Sequence, residues 1–405
     1  MEYSEKDSSS QDTDSDEGNM PPQKQQRRRA KTGIRIQRKR KAVRHDIDTP
    51  SITTSPGQAD LMIPSSTTDW NMSHLESLRI YFENAPKPIS ELLDKVFEYT
   101  GMFGPLNEEQ LRRVKKHQDS MLFSTSLADV IDYASEYYHY SNKHCDSRSY
   151  EEIITELDRV SGLQKQGQSL DQVVYFLNHI MMIIQKMRFS LKTLPKAGFK
   201  DLLKIFIQFS GLFASDGKLW KADRIIMKDH EVMSGADVAI TSVGVDQEEF
   251  DDISALVSIA EVNNHDNLTS QNIKDQEIKT LSKLISDSSD SHISEGPAQG
   301  MPSICNWISS NVLGQHGGEL LIHFDNFAGI LTQKDFFFRP GMILIGTKVV
   351  LTLLVCSKTH WMEITDIDSI QKGTSFISYS EPKDLLIKED RDELLESIAR
   401  LNNIC

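Results

Sequence analysis

The chain is predicted to be an α/β (α+β) protein, a mixed sheet with flanking helices, preceded by a helical domain and a disordered N-terminal tail. Three observations predict this. The first stretch of the chain is polar and charged, the middle carries apolar residues at helical spacing, and short β-branched runs appear only after about residue 235. At 405 residues there is room for two or three domains of roughly 100–200 residues each. The expected division is a tail over 1–70, a helical domain over 71–200, an α/β domain over 201–380 and a C-terminal helix over 381–405.

The tail has few large apolar residues and is rich in Ser, Asp, Gln, Lys and Arg, so it cannot bury enough surface to offset its ordering entropy. It divides by charge, acidic from Glu2 to Glu17 and strongly basic from Lys24 to Arg44. Arg27, Arg28, Arg29 and Lys31 form one basic group, and Arg38, Lys39, Arg40 and Lys41 a second, with Arg35 between them. Two exposed basic groups with a short spacer suit a nuclear-import receptor, so the expected location is the nucleus and the expected partner that receptor. The same guanidinium groups could pair with nucleic-acid phosphates.

The helical domain begins with two apolar faces, Leu75 to Phe82 and Leu92 to Tyr99, separated by Pro86 and Pro88. Asn107 with Gln110 three residues later reads as a capping box opening a third helix. Leu127 to Tyr140 and Tyr150 to Val160 add two helices, and Leu170 to Leu191 and Phe199 to Phe213 add two more apolar ones. Beyond Trp220 the signal changes. Val238-Ala-Ile-Thr-Ser-Val and Ala255-Leu-Val-Ser-Ile-Ala-Glu-Val read as strands. A polar stretch from Asn263 to Pro302 follows, then a helix from Ile304 to Leu331 broken by Gly314, Gly317 and Gly318. Two strands over Gly341 to Val355 and a helix over Lys388 to Leu401 complete the order.

Composition excludes several functions. A formal net charge of −14 argues against a body that coats nucleic acid nonspecifically. Four cysteines, Cys145, Cys305, Cys356 and Cys405, show no metal-ligand spacing and no disulfide framework, and a reducing compartment is the expectation. No uninterrupted apolar run reaches about 18 residues, so no membrane partner is expected. His179 reads as a core histidine, and His139, His144 and Cys145 are too few for zinc. Tyr133 and Tyr137 read as one amphipathic face, and Trp220, Trp307 and Trp361 as core anchors. There is no Gly-x-Ser-x-Gly elbow.

One constellation carries chemistry. Asp237 opens a predicted strand and Glu261 lies near the end of the next. Carboxylates at the ends of adjacent strands can converge on one Mg²⁺, which needs hard oxygen ligands. A nearby lysine would stabilise developing negative charge. The restriction-endonuclease-like pattern is an Asp followed by Glu-x-Lys. Here the third position is Asn263, which brings no charge and cannot act as a base, and the next lysine downstream is Lys274.

Residues from about 200 to 365 resemble the accessory region ahead of the kinase core in fungal-type protein kinases and Crinkler-like proteins. The resemblance rests on Ala236-Asp-Val-Ala-Ile-Thr, Ala255 to Val262, the segment Glu319 to Gln333, Phe336-Phe-Phe, and Met342-Ile-Leu-Ile-Gly-Thr-Lys-Val-Val-Leu. It implies a restriction-endonuclease-like fold with a degenerate site at Asp237, Glu261 and Asn263. No His-Arg-Asp loop, Asp-Phe-Gly triplet or Gly-rich phosphate loop occurs, so a kinase is not expected. The leading expectation is a nuclear binding protein on an inactive nuclease-like domain, with no cofactor. The alternatives are a Mg²⁺-dependent nuclease acting on DNA or RNA, and a viral or cellular cofactor with a helical oligomerisation region. Nucleic acid and protein are the further partners these readings carry.

Overall fold

Strand formation is strongest where the sequence is most apolar. β7 (Phe336–Ile345) and β8 (Lys348–Ser357) pair antiparallel without a break, from Phe336 opposite Ser357 to Ile345 opposite Lys348. Gly346 joins them at a φ of 61°, the left-handed value a two-residue hairpin turn needs. Nearly every residue of both strands is buried, as expected of strands covered on both faces. The computed structural model describes residues 63–127, 129, 148–166, 168–189, 196–217, 224–227, 230–242, 256–263, 301–322, 335–366 and 372–404.

The remaining strands are β1 (Ile80–Phe82), β2 (Leu212–Asp216), β3 (Arg224–Met227), β4 (His230–Met233), β5 (Val238–Ser242), β6 (Leu256–Asn263), β9 (Ser375–Tyr379) and β10 (Lys383–Asp384). The main sheet runs β1-β9-β8-β7-β6-β5-β2, with β10 added to β8, and β3 and β4 form a separate hairpin. β2, β5 and β6 are antiparallel neighbours, whereas β6 and β7 are parallel. A parallel neighbour requires a crossover, and helix α7 (Ser310–Ile322) lies in that connection and packs on both strands. The sheet is therefore mixed and flanked by helices.

Eight more helices complete the described chain: α1 (Met72–Ser77), α2 (Ile89–Thr100), α3 (Glu108–Ser120), α4 (Arg148–Lys165), α5 (Asp171–Phe189), α6 (Lys196–Gln208), α8 (Lys358–Thr365) and α9 (Lys388–Arg400). One face of the sheet packs α2, α5, α6 and α9 through residues such as Leu93, Phe176, Phe206 and Leu395. The other packs α1 and α7 through Trp70, Leu75, Leu313 and Leu320. The capping box expected at Asn107 is present, with the two reciprocal bonds to Gln110 both 2.9 Å long.

Several elements differ from expectation. Ile80–Phe82 does not continue a helix. Arg79 takes a φ of 57°, which ends α1, and the next three residues pair parallel with β9. The helix expected to reach Phe213 stops at Gln208, and the turn at Gly211 (φ 77°) leads into β2. Part of the segment expected as tail is folded, since a 3₁₀ turn spans Thr67–Asp69 and Trp70 is fully buried. The hairpin β3–β4, strand β9 and helix α8 had no counterpart in the sequence reading. Glycines 314, 317 and 318 do not break α7. They let it approach its neighbours: a Cβ on Gly314 would lie 2.2 Å from the Asn71 backbone. The basic cluster from Arg27 to Lys41, the 133–140 tyrosines, His139, His144, Cys145, Trp220 and Lys274 lie outside the described residues. Among the described residues no helix is long and apolar enough to cross a membrane.

Candidate functional site

Asp237 and Glu261 meet because β5 and β6 are antiparallel in a register that pairs Val238 with Ala260. Asp237 immediately precedes β5 and Glu261 follows Ala260, so the two side chains stand at the same end of adjacent strands. The Val262 backbone N–H donates to Asp237 Oδ2 at 3.0 Å, which fixes the shorter side chain against the neighbouring strand. Glu261 is buried, with its side chain 4% exposed, while Asp237 is 19% exposed and opens the site to solvent. Asn263 is the last residue of β6, opposite Ile345 of β7, and its side chain lies outside the described residues.

The charge that Asn263 cannot bring arrives from another element. Lys196 is the first residue of α6, and its Nζ lies 2.6 Å from Asp237 Oδ2 and 3.2 Å from Glu261 Oε1. One ammonium thus touches both carboxylates, which gives them the convergence that sharing a single ion requires. Sequence reasoning missed Lys196 because it stands far upstream of Asp237, on a helix whose position relative to the strands no local pattern records.

Helix α7 closes the site from within. Gln315 and Glu319 are four apart and share one helical face. The Gln315 Nε2 donates to Glu261 Oε2 at 2.8 Å and to Glu319 Oε1 at 3.0 Å. Glu319 is fully buried, and its Oε2 has no hydrogen-bond partner. An orphaned carboxyl oxygen at this depth is expensive unless it is protonated or faces a cation.

The titration of these groups follows from their crowding. Burial raises the Glu261 carboxyl well above the carboxylate range, and the charges of Glu319 and Asp237 raise it further against the opposing pull of Lys196. Burial also raises Glu319, although the Gln315 hydrogen bond opposes the shift. For Lys196, burial works to lower the pKa, but the neighbouring Glu261 and Asp237 carboxylates outweigh it and hold the group above the usual lysine value. Lys196 is therefore an ammonium at neutral pH.

Among the described residues no group of three or more His, Cys, Asp or Glu side chains is placed to hold a metal ion. The donor set instead suits Mg²⁺, which binds through one or two carboxylates and leaves its other positions to water and phosphate. Asp237 and Glu261 would be those ligands, with the buried Glu319 carboxyl group behind them.

Other candidate residues are structural. The buried His179 Nε2 lies 2.9 Å from the Gly198 carbonyl oxygen, a satisfied core histidine. Trp307 and Trp361 are partly buried against the apolar cluster beneath α7, and Trp70 is the deeper anchor. Among the described residues Cys305 and Cys356 form no disulfide. No protein-family model, curated protein or solved structure matches this chain.

Proposed function

We propose that the protein is a Mg²⁺-dependent nuclease of the restriction-endonuclease-like kind, acting on DNA or RNA. The observation that carries this reading is Lys196 Nζ at 2.6 Å from Asp237 and 3.2 Å from Glu261. The expectation of an inactive domain rested on Asn263 in place of lysine, and Lys196 supplies that charge from α6. The chain order supports the fold reading too. A strand headed by Asp237, a strand carrying Glu261, helix α7, the aromatic β7 and then β8 follow the order of the accessory region that the sequence resembles.

Bound at Asp237 and Glu261, Mg²⁺ would supply Lewis acidity and lower the pKa of a coordinated water. The chain's own groups have separable tasks. Lys196, held as an ammonium, does not serve as a general base; it stabilises negative charge on the phosphate oxygens as the attacking water adds and the leaving oxygen departs. Gln315 holds Glu261 in one orientation, so that Oε1 stays turned toward Lys196. Residue Asp237, the most exposed carboxylate of the three, faces the side from which substrate arrives.

The test is incubation of plasmid and single-stranded DNA or RNA with the protein and Mg²⁺ or Mn²⁺, beside Asp237→Ala, Glu261→Ala and Lys196→Ala. Cleavage by the wild type and loss in all three variants is expected. Absence of cleavage by the wild type with either metal refutes the reading.

With this activity we pair a nuclear address. Its support is the two-part basic cluster, Arg27 to Lys31 and Arg38 to Lys41, and a body too acidic to seek nucleic acid by charge alone. Replacing Arg38, Lys39, Arg40 and Lys41 by alanine should spread a fluorescent fusion into the cytoplasm; an undiminished nuclear signal refutes it.

A further inference from the structure

The Lys196 ammonium occupies the place where a metal would bind. It touches Asp237 Oδ2 and Glu261 Oε1, while the other Glu261 oxygen is already engaged by Gln315. We infer that Lys196 is a resident cation which a divalent metal must displace, and that nucleic-acid phosphate, by drawing the ammonium away, couples substrate binding to metal binding. This inference rests on the metal-dependent reading of the same site.

Three observations support it. First, the exposures differ. The Lys196 side chain is 43% exposed, against 19% for Asp237 and 4% for Glu261, so of the three it is the least enclosed. Asp237 is tied down by the Val262 N–H and Glu261 by Gln315, which leaves lysine as the partner that moves. Second, three carboxyl groups, Asp237, Glu261 and Glu319, share the site with a single ammonium, and Glu319 Oε2 is buried without a hydrogen-bond partner. Lys200 and Lys204, one and two turns further along α6, are held by Asp216 at 2.9 and 3.2 Å, and Lys204 also by Asp201. Third, a dication and an ammonium cannot share two oxygens, because like charges at such separation repel by several kcal/mol even at an effective dielectric of about 20. A phosphodiester offers the displaced ammonium a new anionic partner, so each ligand should favour the other.

Calorimetric titration of the full-length chain with Mn²⁺ reads this without turnover. Lys196→Met should bind Mn²⁺ at least about tenfold more tightly than the wild type, and Lys196→Arg should stay close to it, because it keeps the charge. A short single-stranded phosphorothioate DNA should tighten Mn²⁺ binding to the wild type by a larger factor than to Lys196→Met, where only direct metal–phosphate coordination remains; equal tightening in both overturns the coupling through Lys196. Circular dichroism checks that the Met variant folds, and Lys196→Gln replaces it otherwise. Unchanged or weaker Mn²⁺ binding in the folded uncharged variant overturns the displacement, as does absence of Mn²⁺ binding throughout. If the wild type cleaves nucleic acid and the uncharged variant shows no gain, the nuclease reading stands and the displacement falls. If the gain appears without any cleavage, the displacement stands and the nuclease reading falls.

Discussion

Gln315 Nε2 lies 2.8 Å from Glu261 Oε2, and this one contact decides which Glu261 oxygen faces the open side of the site. The same nitrogen lies 3.0 Å from Glu319 Oε1, so both amide hydrogens are spent on buried carboxyl groups. Replacing Gln315 by leucine keeps approximate bulk and removes both donors. Two buried carboxyl oxygens then lose their partners, at roughly 1–3 kcal/mol each. Gln315→Leu should lower stability by about 2–4 kcal/mol in urea unfolding and weaken Mn²⁺ binding. A variant as stable as the wild type would show that Gln315 does not hold these groups.

Arg391 is a second buried polar anchor. Its guanidinium donates to the carbonyl oxygens of Leu385, Met121 and Phe123 at 3.0, 2.8 and 2.7 Å and lies 4.1 Å from the Phe123 ring centre. The side chain thereby ties α9 to the segment after α3. Arg391→Met fills similar space but strands three carbonyls, and a loss of roughly 3–5 kcal/mol is expected. Arg391→Lys should recover only part of it, since an ammonium cannot reproduce the planar fork. Equal unfolding midpoints for wild type and Met variant would contradict this.

What the sequence disclosed was local. The capping box at Asn107 and Gln110 was legible because both partners lie within one turn. Strands β5 and β6 were legible from their β-branched runs, and Asp237 and Glu261 from their places at the strand ends. What stayed hidden depends on partners distant in the chain. Ile80–Phe82 forms a strand because β9 offers an edge, with Ile80 opposite Ser375. Lys196 reaches the site only through the packing of α6 against the sheet, and nothing in its own neighbourhood distinguishes it from other lysines. Gln315 and Glu319 have helical spacing, but they sit among three glycines that resemble a break. The reason for those glycines, the passage of Asn71 and Leu75 against α7, is again non-local.

Those glycines give a sharp contrast with one in α4. A Cβ at Gly314 would meet Asn71 backbone atoms at 2.2 Å, and backbone cannot rotate aside as a side-chain tip can. The helix-propensity gain of about 1 kcal/mol is then outweighed, and Gly314→Ala should lose about 2–3 kcal/mol. Gly162, inside α4, has nothing within 4 Å of its would-be Cβ. Gly162→Ala should therefore gain about 0.5–1 kcal/mol. Thermal melts of the two variants should move in opposite directions, and movement in the same direction would refute the packing argument for α7.

His316 supplies the pH dependence. It is fully buried, its Nε2 lies 2.7 Å from Thr352 Oγ1, its Nδ1 has no partner, and burial pushes its pKa down to about 3. An unfolded histidine takes up a proton near pH 6.5, whereas the folded one resists it. The unfolded chain therefore binds more protons between these values. The contribution to stability is whole above about pH 6.5 and is lost as pH falls toward 3, by a few kcal/mol in all. His316→Asn does not titrate there. At pH 7.5 it should be less stable than the wild type, because it leaves space beside Gly341 and Leu320. By pH 4.5 the gap should narrow by roughly 2 kcal/mol, as the wild type loses its histidine term and the variant does not. Parallel stability curves for the two proteins between pH 7.5 and 4.5 would show that His316 is already free to protonate in the folded state.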